Sequence, residues 1–473
     1  MQILNNGFAD DEAVASEEAI MLNVLKFLND LVWGIPALVL IFGVGLYLTI
    51  CTGFAQFRFF PEALRSFLRR FLGKGNATDG SPFQALCTAL AATVGTGNLA
   101  GVAGAIAVGG PGAIFWMWVC AFVGMVTKYA EAVLAVRYQV RNKEGTYSGG
   151  PMYIITRGLG ASWRPMAVCY CLFGVVASFG VGTGTQINAV VTGMNSVWSL
   201  FGFIVSEQGN FVLGIVLGLL VTLMVLGGAR RIGQTAERLV PLAAIIYIIL
   251  SVGVLVVRFD QIPYALGNII TGAFSPRAVT GGAIGSFFTA LRTGVSRGVF
   301  TNEAGMGTAA IAHGCARVKH PIEQGMLGIM EVFLDTIVIC TLTALVILTS
   351  NVPIPYGVDE GLALTTRAFA SVYGDWVSVI IVFETCCFAF ATILGWGLYG
   401  ARCAEFLFGK DSWKYFALLQ GMIVVLSAVW DTETVWLLSE TMNGLMALPN
   451  LITLALLAPE LVLLTQEYIL GKG

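Results

Sequence analysis

The sequence predicts an all-α polytopic membrane protein of about eleven transmembrane helices, and three observations predict it. Of 473 residues, 57% are hydrophobic and only 11% are charged, against about 25% charged in a soluble domain. Apolar runs long enough to cross hydrocarbon, about 20 residues each, recur from residue 31 to residue 458. Lys and Arg gather in every second connection between those runs, the pattern that orients membrane helices. A formal net charge of -2 gives no sign of a nucleic-acid partner, and membrane lipid is the expected surround.

Residues 1–30 carry Asp10, Asp11, Glu12, Glu17 and Glu18 rather than the basic start of a secretory leader, and read as an external segment. The charge-free run 31–57 is the first span. Residues 58–75 interleave Arg58, Arg65, Arg69, Arg70 and Lys74 with Phe59, Phe60, Leu64, Phe67 and Leu68, as an amphipathic helix on the membrane surface does. The next run, from Gly80 to Thr127, is too long for one span, and Gly109-Gly110-Pro111-Gly112 divides it into spans at 82–108 and 113–138. Further spans fall near 165–194, 210–228, 239–257, 278–312, 323–350, 376–401, 414–430 and 434–458.

Basic residues follow the first, third, fifth, seventh and ninth spans: Arg69 and Arg70, Arg137 and Arg141, Arg230 and Arg231, Arg317 and Lys319, Lys410 and Lys414. The alternate connections are nearly free of them. The expectation is an external N-terminus and a cytoplasmic tail at 459–473, in a plasma (inner) membrane protein. One odd span followed by ten gives an extra N-terminal helix ahead of two five-helix repeats, at 82–258 and 278–458. An odd number of helices per repeat makes the two halves opposite in orientation.

Both halves open on a peculiar span. The first holds Thr93-Val94-Gly95-Thr96-Gly97-Asn98-Leu99-Ala100-Gly101 in a run without charge. Glycines flanking Thr96 weaken a helix by about 1 kcal/mol each. An unwound turn at membrane depth exposes amides and carbonyls that must be satisfied. A bound anion meets the N–H groups of the second half-helix and a cation meets the carbonyls ending the first. The alternative is a packing face, because Gly97 and Gly101 also have Gly-x-x-x-Gly spacing. The seventh span is interrupted around Arg297-Gly298, with Thr301-Asn302-Glu303-Ala304-Gly305-Met306-Gly307 after it. Two interrupted segments at corresponding positions point to a transporter.

Other classes lack their signatures. Only His313 and His320 are available as histidines, and no clustered nucleophile, base or metal set appears, so an enzyme is not expected. There is no phosphate-binding loop for ATP coupling and no carbonyl filter repeat of a channel. No cofactor is expected beyond a co-transported ion.

The run Gly95-Thr96-Gly97-Asn98-Leu99-Ala100-Gly101, then Gly109-Gly110-Pro111-Gly112-Ala113-Ile114-Phe115-Trp116-Met117-Trp118, then Thr127-Lys128-Tyr129-Ala130-Glu131 resembles the signature of the sodium:alanine (alanine or glycine:cation) symporter family. The stretch from Thr301 to Gly307 and Gly395-Trp396-Gly397 resemble its later motifs. The resemblance covers nearly the whole chain. It implies a LeuT-type 5+5 inverted repeat in the amino acid–polyamine–cation superfamily. It also implies sodium-coupled uptake of small neutral amino acids such as alanine and glycine. A proton-coupled amino-acid symporter of the same fold is the alternative.

Thr96 and Gly97 head the site, their amides opening the second half-helix toward a substrate carboxylate. Asn98 either supplies an oxygen to sodium or substrate or caps the half-helix. Gln186, in the polar patch from Gly180 to Asn188, contacts a zwitterion or glues helices together. Phe300 and Thr301 pack on the substrate from the opposite repeat. Thr392 is a sodium or amine ligand, or a hydroxyl bonded back to its own helix. Trp396, four residues on, is a pocket wall or an interfacial anchor. The sodium set is Ala91, Val94, Asn98, Phe388 and Thr392, with Ala91 and Val94 acting through carbonyls freed by the break. Arg292, Arg297, Glu303, Glu331, Asp335 and Glu384 are expected as gate or scaffold pairs, Glu331 and Asp335 sharing a face toward Arg297. Lys128 and Glu131 are expected as a helix pair at a cytoplasmic end.

Overall fold

A computed structural model of the chain describes residues 22–73, 80–142, 145–282, 286–358, 360–429 and 433–471. Most of the expected external segment, residues 1–21, lies outside the described residues, as do Lys74 and the last two residues of the tail. In chain order the main helices are α1 (Ile35–Cys51), α2 (Phe60–Phe71), α3 (Pro82–Thr93), α4 (Val102–Gly109), α5 (Gly112–Arg137), α6 (Arg164–Phe179), α7 (Thr185–Leu200), α8 (Glu207–Leu226), α9 (Gly228–Val257) and α10 (Ile262–Phe274). They continue as α11 (Phe287–Asn302), α12 (Thr308–His313), α13 (Pro321–Val332), α14 (Thr341–Thr349), α15 (Leu362–Tyr373), α16 (Val377–Phe408), α17 (Ser412–Ser427), α18 (Glu433–Leu456) and α19 (Ala458–Leu470).

Helix starts follow local chemistry. Proline stands in the first turn of α2, α3, α6, α10 and α13, where its missing N–H has no intrahelical role. Ser81, Ser206 and Ser286 cap α3, α8 and α11 with their hydroxyls. Seven helical stretches are long and apolar enough to span a membrane, and bent pairs bring the number to nine. The sixteen-residue α17 and the broken pair α11/α12 occupy the other two runs, so each of the eleven expected spans holds a helix or a broken helix. Helix α5 is the centre of the bundle, with 83% of its apolar window buried, against 22% for α8 at the rim.

Three features depart from the sequence reading. Residues 459–473 were expected as a tail, but α19 is a packed helix. Its Ala458, Leu461, Leu464 and Thr465 are buried, and Thr465 Oγ1 meets Tyr129 Oη at 2.8 Å. The seventh span is not broken at Arg297-Gly298. Helix α11 runs unbroken through Asn302 because Gly294 and Gly298 serve close packing. A Cβ on Gly294 would lie 2.2 Å from Ala113 O, and one on Gly298 3.2 Å from Cys120 Cβ, both on α5. The break falls instead at 303–307, where Glu303, Gly305 and Gly307 take φ of 53°, 96° and 77°. Finally, α15 fills a connection that sequence left unassigned, and its Thr365 Oγ1 donates to Leu99 O at 2.9 Å.

Candidate functional site

The first break is built at Val94, whose φ −77° and ψ 96° are extended. Helix α3 and the segment after it meet at 53°, and residues 97–101 form a π-helical turn leading into α4. The Gly95 amide, which would otherwise continue α3 onto the Ala91 carbonyl, donates to Asn98 Oδ1 at 2.9 Å. The Ala91 carbonyl therefore loses its helical donor, as the sequence argument requires.

Helix α16 crosses this break closely. A Cβ on Gly395 would lie 2.8 Å from Ala92 Cβ, and one on Gly95 only 2.6 Å from Thr392 Oγ1. Thr392 is 3% exposed and its hydroxyl has no hydrogen-bond partner. Thr385, about two turns earlier on the same helix, bonds back to Ile381 O at 2.8 Å, as membrane threonines commonly do. Thr392 does not, which removes the alternative weighed for it. A buried hydroxyl without a partner costs about 1–3 kcal/mol. Ala91, Val94 and Phe388 are buried together in one core cluster. The Phe388 ring lies against Tyr247 at 6.3 Å between centroids.

Other site residues converge on the same break. Thr96 Oγ1 donates to Gln186 Oε1 at 3.1 Å, joining the second and fourth spans. Gly97 faces the second repeat: its Cβ would stand 3.3 Å from Thr301 Cγ2 and 3.7 Å from the Phe300 ring. Thr301 Oγ1 is occupied by Gly298 O at 3.0 Å, so its methyl is what faces Gly97. Trp396 is 1% exposed and donates from Nε1 to Glu303 Oε1 at 3.0 Å, which excludes an interfacial anchor. It packs against Gly182, where a Cβ would come within 2.3 Å of Trp396 Cβ. Asn98 does not cap the half-helix, which has no side-chain cap; its Oδ1 takes the Gly95 amide that precedes it. Its Nδ2 donates to Asp335 Oδ1 at 2.6 Å.

The charged residues are arranged differently from expectation. Lys128 and Glu131 do not sit at a helix end in water but are fully buried in the bundle. Glu131 Oε1 accepts from the Gly305 and Gly307 amides at 3.0 Å each and from Asn450 Nδ2 at 2.7 Å. This carboxylate satisfies the backbone of the second break. Glu331 and Asp335 do not share one partner at Arg297. Glu331 faces Lys128 Nζ at 3.3 Å and His313 Nε2 at 2.8 Å, while Asp335 faces Asn98. Arg292 pairs with Asp30 at 2.6 Å on the surface, and both Glu384 carboxylate oxygens are buried without a partner.

Sequence reasoning missed how Asp335 and Thr336 tie the two breaks together. Asp335 holds Asn98 of the first, and Thr336 Oγ1 accepts from Asn302 Nδ2 of the second at 3.2 Å. Both lie on a π-helical segment, Phe333–Cys340. An acidic residue in an apolar span was the available signal. Its partner, 237 positions away in the chain, was not.

Comparison with known proteins places this arrangement. The model of the sodium:alanine symporter family matches residues 18–472. An uncharacterized transporter of Haemophilus influenzae is 42% identical over 451 residues, covering 94% of this chain and 96% of its own. The sodium/alanine symporter AgcS of Methanococcus maripaludis is 39% identical over 454 residues, covering 94% and 97%. The probable sodium/glutamine symporter GlnT of Bacillus subtilis is 35% identical over 454 residues, covering 95% and 91%. Among solved structures, MhsT in complex with L-phenylalanine superposes with TM-score 0.58 at 15% identity, over 83% of this chain and 99% of that one. Mhp1 superposes with TM-score 0.50 at 12% identity, over 76% and 75%. The fold is the LeuT type.

Proposed function

We propose sodium-coupled symport of small neutral amino acids, by alternating access, for this chain, which belongs to the sodium:alanine symporter family over nearly its whole length. Membership makes it a multi-pass membrane protein and an amino-acid symporter, not an enzyme. The finer reading assigns roles to residues around the two breaks. The Thr96 and Gly97 amides bind the substrate carboxylate, and Gln186 braces Thr96. Phe300, the Thr301 methyl and Trp396 bound the side-chain space, which fits alanine or glycine. Sodium is cargo, held by the Ala91, Val94 and Phe388 carbonyls, Thr392 Oγ1 and Asn98 Oδ1, because hard cations prefer oxygen. The orientation follows the loop charges: N-terminus outside, C-terminus in the cytoplasm, in the inner membrane.

The observation that carries the sodium reading is the buried Thr392 hydroxyl without a partner, against Gly95 and the freed Ala91 carbonyl. Proton coupling keeps one specific support. Sequence alone placed no carboxylate near the first break, yet Asp335 lies against Asn98 at 2.6 Å. Labelled alanine uptake into proteoliposomes separates the two. A sodium gradient at equal pH should drive accumulation, and a pH gradient without sodium should not. The opposite pattern overturns sodium coupling.

A further inference from the structure

Where α8 ends and α9 begins, the surface of the bundle has a depression of about 410 Å³ lined by Leu223, Leu226, Gly227, Arg230, Arg231 and Gln234. Its two walls differ in kind. One is apolar: Leu219, Leu223 and Leu226 are exposed along the last two turns of α8. The other is basic. Arg230, Arg231 and Arg238 are exposed on the first three turns of α9, while Ile232, Ala236 and Val240 are buried on the opposite side of that helix. Beyond Arg238 the exposed face of α9 turns apolar, with Leu242, Ile245 and Ile249. A change from arginine to leucine and isoleucine along one exposed helix face marks the level at which the wet boundary of a bilayer gives way to hydrocarbon. The depression lies at that boundary.

Local sequence builds it. Gly227 and Gly228 join the two helices in a tight turn, Gly228 at φ 72°. Gly227 leaves room for Arg231 to fold back over the end of α8: a Cβ at Gly227 would stand 2.4 Å from Arg231 Cδ. Arg231 Nη1 donates to Leu223 O at 2.9 Å, and Trp413 Nε1 donates to Val225 O at 2.8 Å. Two of the carbonyls that end α8 are thereby satisfied by side chains. The first of these contacts holds the Arg231 guanidinium at the rim of the depression and uses one of its five N–H donors. Among the described residues no acidic side chain lines the depression. The carboxylate nearest in sequence, Glu237, is half-buried and accepts from Gln84 Nε2 of α3 at 3.5 Å.

We propose that this depression binds the headgroup of an anionic phospholipid. Two adjacent guanidiniums suit a phosphodiester, because their planar forks pair with phosphate oxygens and keep their charge at any working pH. Basic pockets between membrane helices hold anionic headgroups in this way. The acyl chains lie against Leu219 and Leu223 of α8 and against Leu242 and Ile245 of α9. A free phosphate would use the arginines alone, and only a ligand with chains gives the apolar wall a role. A zwitterionic lipid brings an ammonium that meets no carboxylate among the lining residues. The inference rests on the chain being a membrane protein, which its family membership gives, and is independent of the ion or amino acid carried.

The full-length protein in detergent, stripped of lipid, is titrated with phosphatidylglycerol and separately with phosphatidylethanolamine of the same chains, and bound lipids are counted by native mass spectrometry. One phosphatidylglycerol should bind more tightly than any further copy and more tightly than phosphatidylethanolamine. In Arg230→Gln/Arg231→Gln its affinity should fall about thirtyfold, the attraction that two basic residues lend an anionic lipid. Arg65→Gln/Arg69→Gln, which removes the same charge from exposed positions of α2, should leave it unchanged. Leu226→Glu keeps both arginines, puts a carboxylate into the depression and should also weaken it, so the test holds even where the double variant does not fold. Glycerol phosphate in large excess, an anion without chains, should not displace the lipid. Equal affinity for the two lipids overturns the proposal. So does unchanged affinity in Arg230→Gln/Arg231→Gln or Leu226→Glu, an equal loss in the α2 variant, or displacement by glycerol phosphate.

Discussion

Gly95→Ala tests the ion site most sharply. Gly95 has no positive φ, so its backbone accepts alanine, and the perturbation is confined to the new methyl. That methyl would stand 2.6 Å from Thr392 Oγ1, about 0.8 Å short of the 3.4 Å at which ordinary contact begins. The cheapest relief is rotation of χ1, since threonine in a helix has two accessible rotamers. The hydroxyl then bonds back to the carbonyl four residues earlier, as Thr385 already does. The fold survives and the hydroxyl is withdrawn from the break. Sodium loses one oxygen, worth about 1.5–3 kcal/mol for a polar group facing a charge, so half-maximal uptake should need about 10- to 150-fold more sodium. Labelled alanine uptake into proteoliposomes across a sodium series measures this, with gel filtration confirming the fold. Thr392→Ala should cost a similar amount, and the double variant should cost little more than either alone, because both remove one interaction. An unchanged sodium requirement in well-folded Gly95→Ala, or simple additivity in the double variant, refutes the assignment of Thr392.

Three further outcomes are expected. Gly97→Val should abolish uptake of every substrate, since its first atom already falls 3.3 Å from Thr301 Cγ2, whereas Trp396→Ala should let unlabelled leucine compete for alanine uptake and weaken alanine by about 1–3 kcal/mol; an unchanged competition profile removes Trp396 from the pocket. Glu131→Ala leaves two backbone amides of the second break and Asn450 Nδ2 without their acceptor, and should destabilise the protein by about 3–5 kcal/mol, read as a lowered melting temperature in detergent; an unaltered melting curve contradicts the structural role. For topology, a cysteine at Ile204, which is 97% exposed, should gain labelling from an impermeant thiol reagent outside intact cells, above that of the native cysteines, and one at Ser66 should not. The reverse would invert the loop-charge assignment.

The spans were legible because length and apolarity nearly decide the matter in hydrocarbon, where a helix satisfies its own backbone. The first break was legible for a related reason: Gly95, Thr96, Gly97 and Asn98 are polar or flexible where nothing else is. The second was misplaced by about five residues. Gly294 and Gly298 look like helix breakers in sequence, but their missing side chains admit α5 against α11. What the chain does at a glycine depends on the neighbour that approaches it, and that neighbour is not local. Gly305 and Gly307 sit at positive φ because Glu131, some 175 positions earlier, accepts their amides. The same limit hid the ionic centre. Lys128 and Glu131 show an i, i+3 pair in sequence, which suits a wet helix end equally well. Only the fold brings Glu331, His313 and Glu303 to Lys128 and makes the group a buried network. The two breaks are thus held by unlike means. The first has its Gly95 amide taken by the nearby Asn98, and the second leans on a carboxylate from another helix. A break stabilised from outside moves when its holder moves, so α5 and the second break should travel together, and the Phe333–Cys340 segment, which holds Asn98 and Asn302, should couple the first break to them.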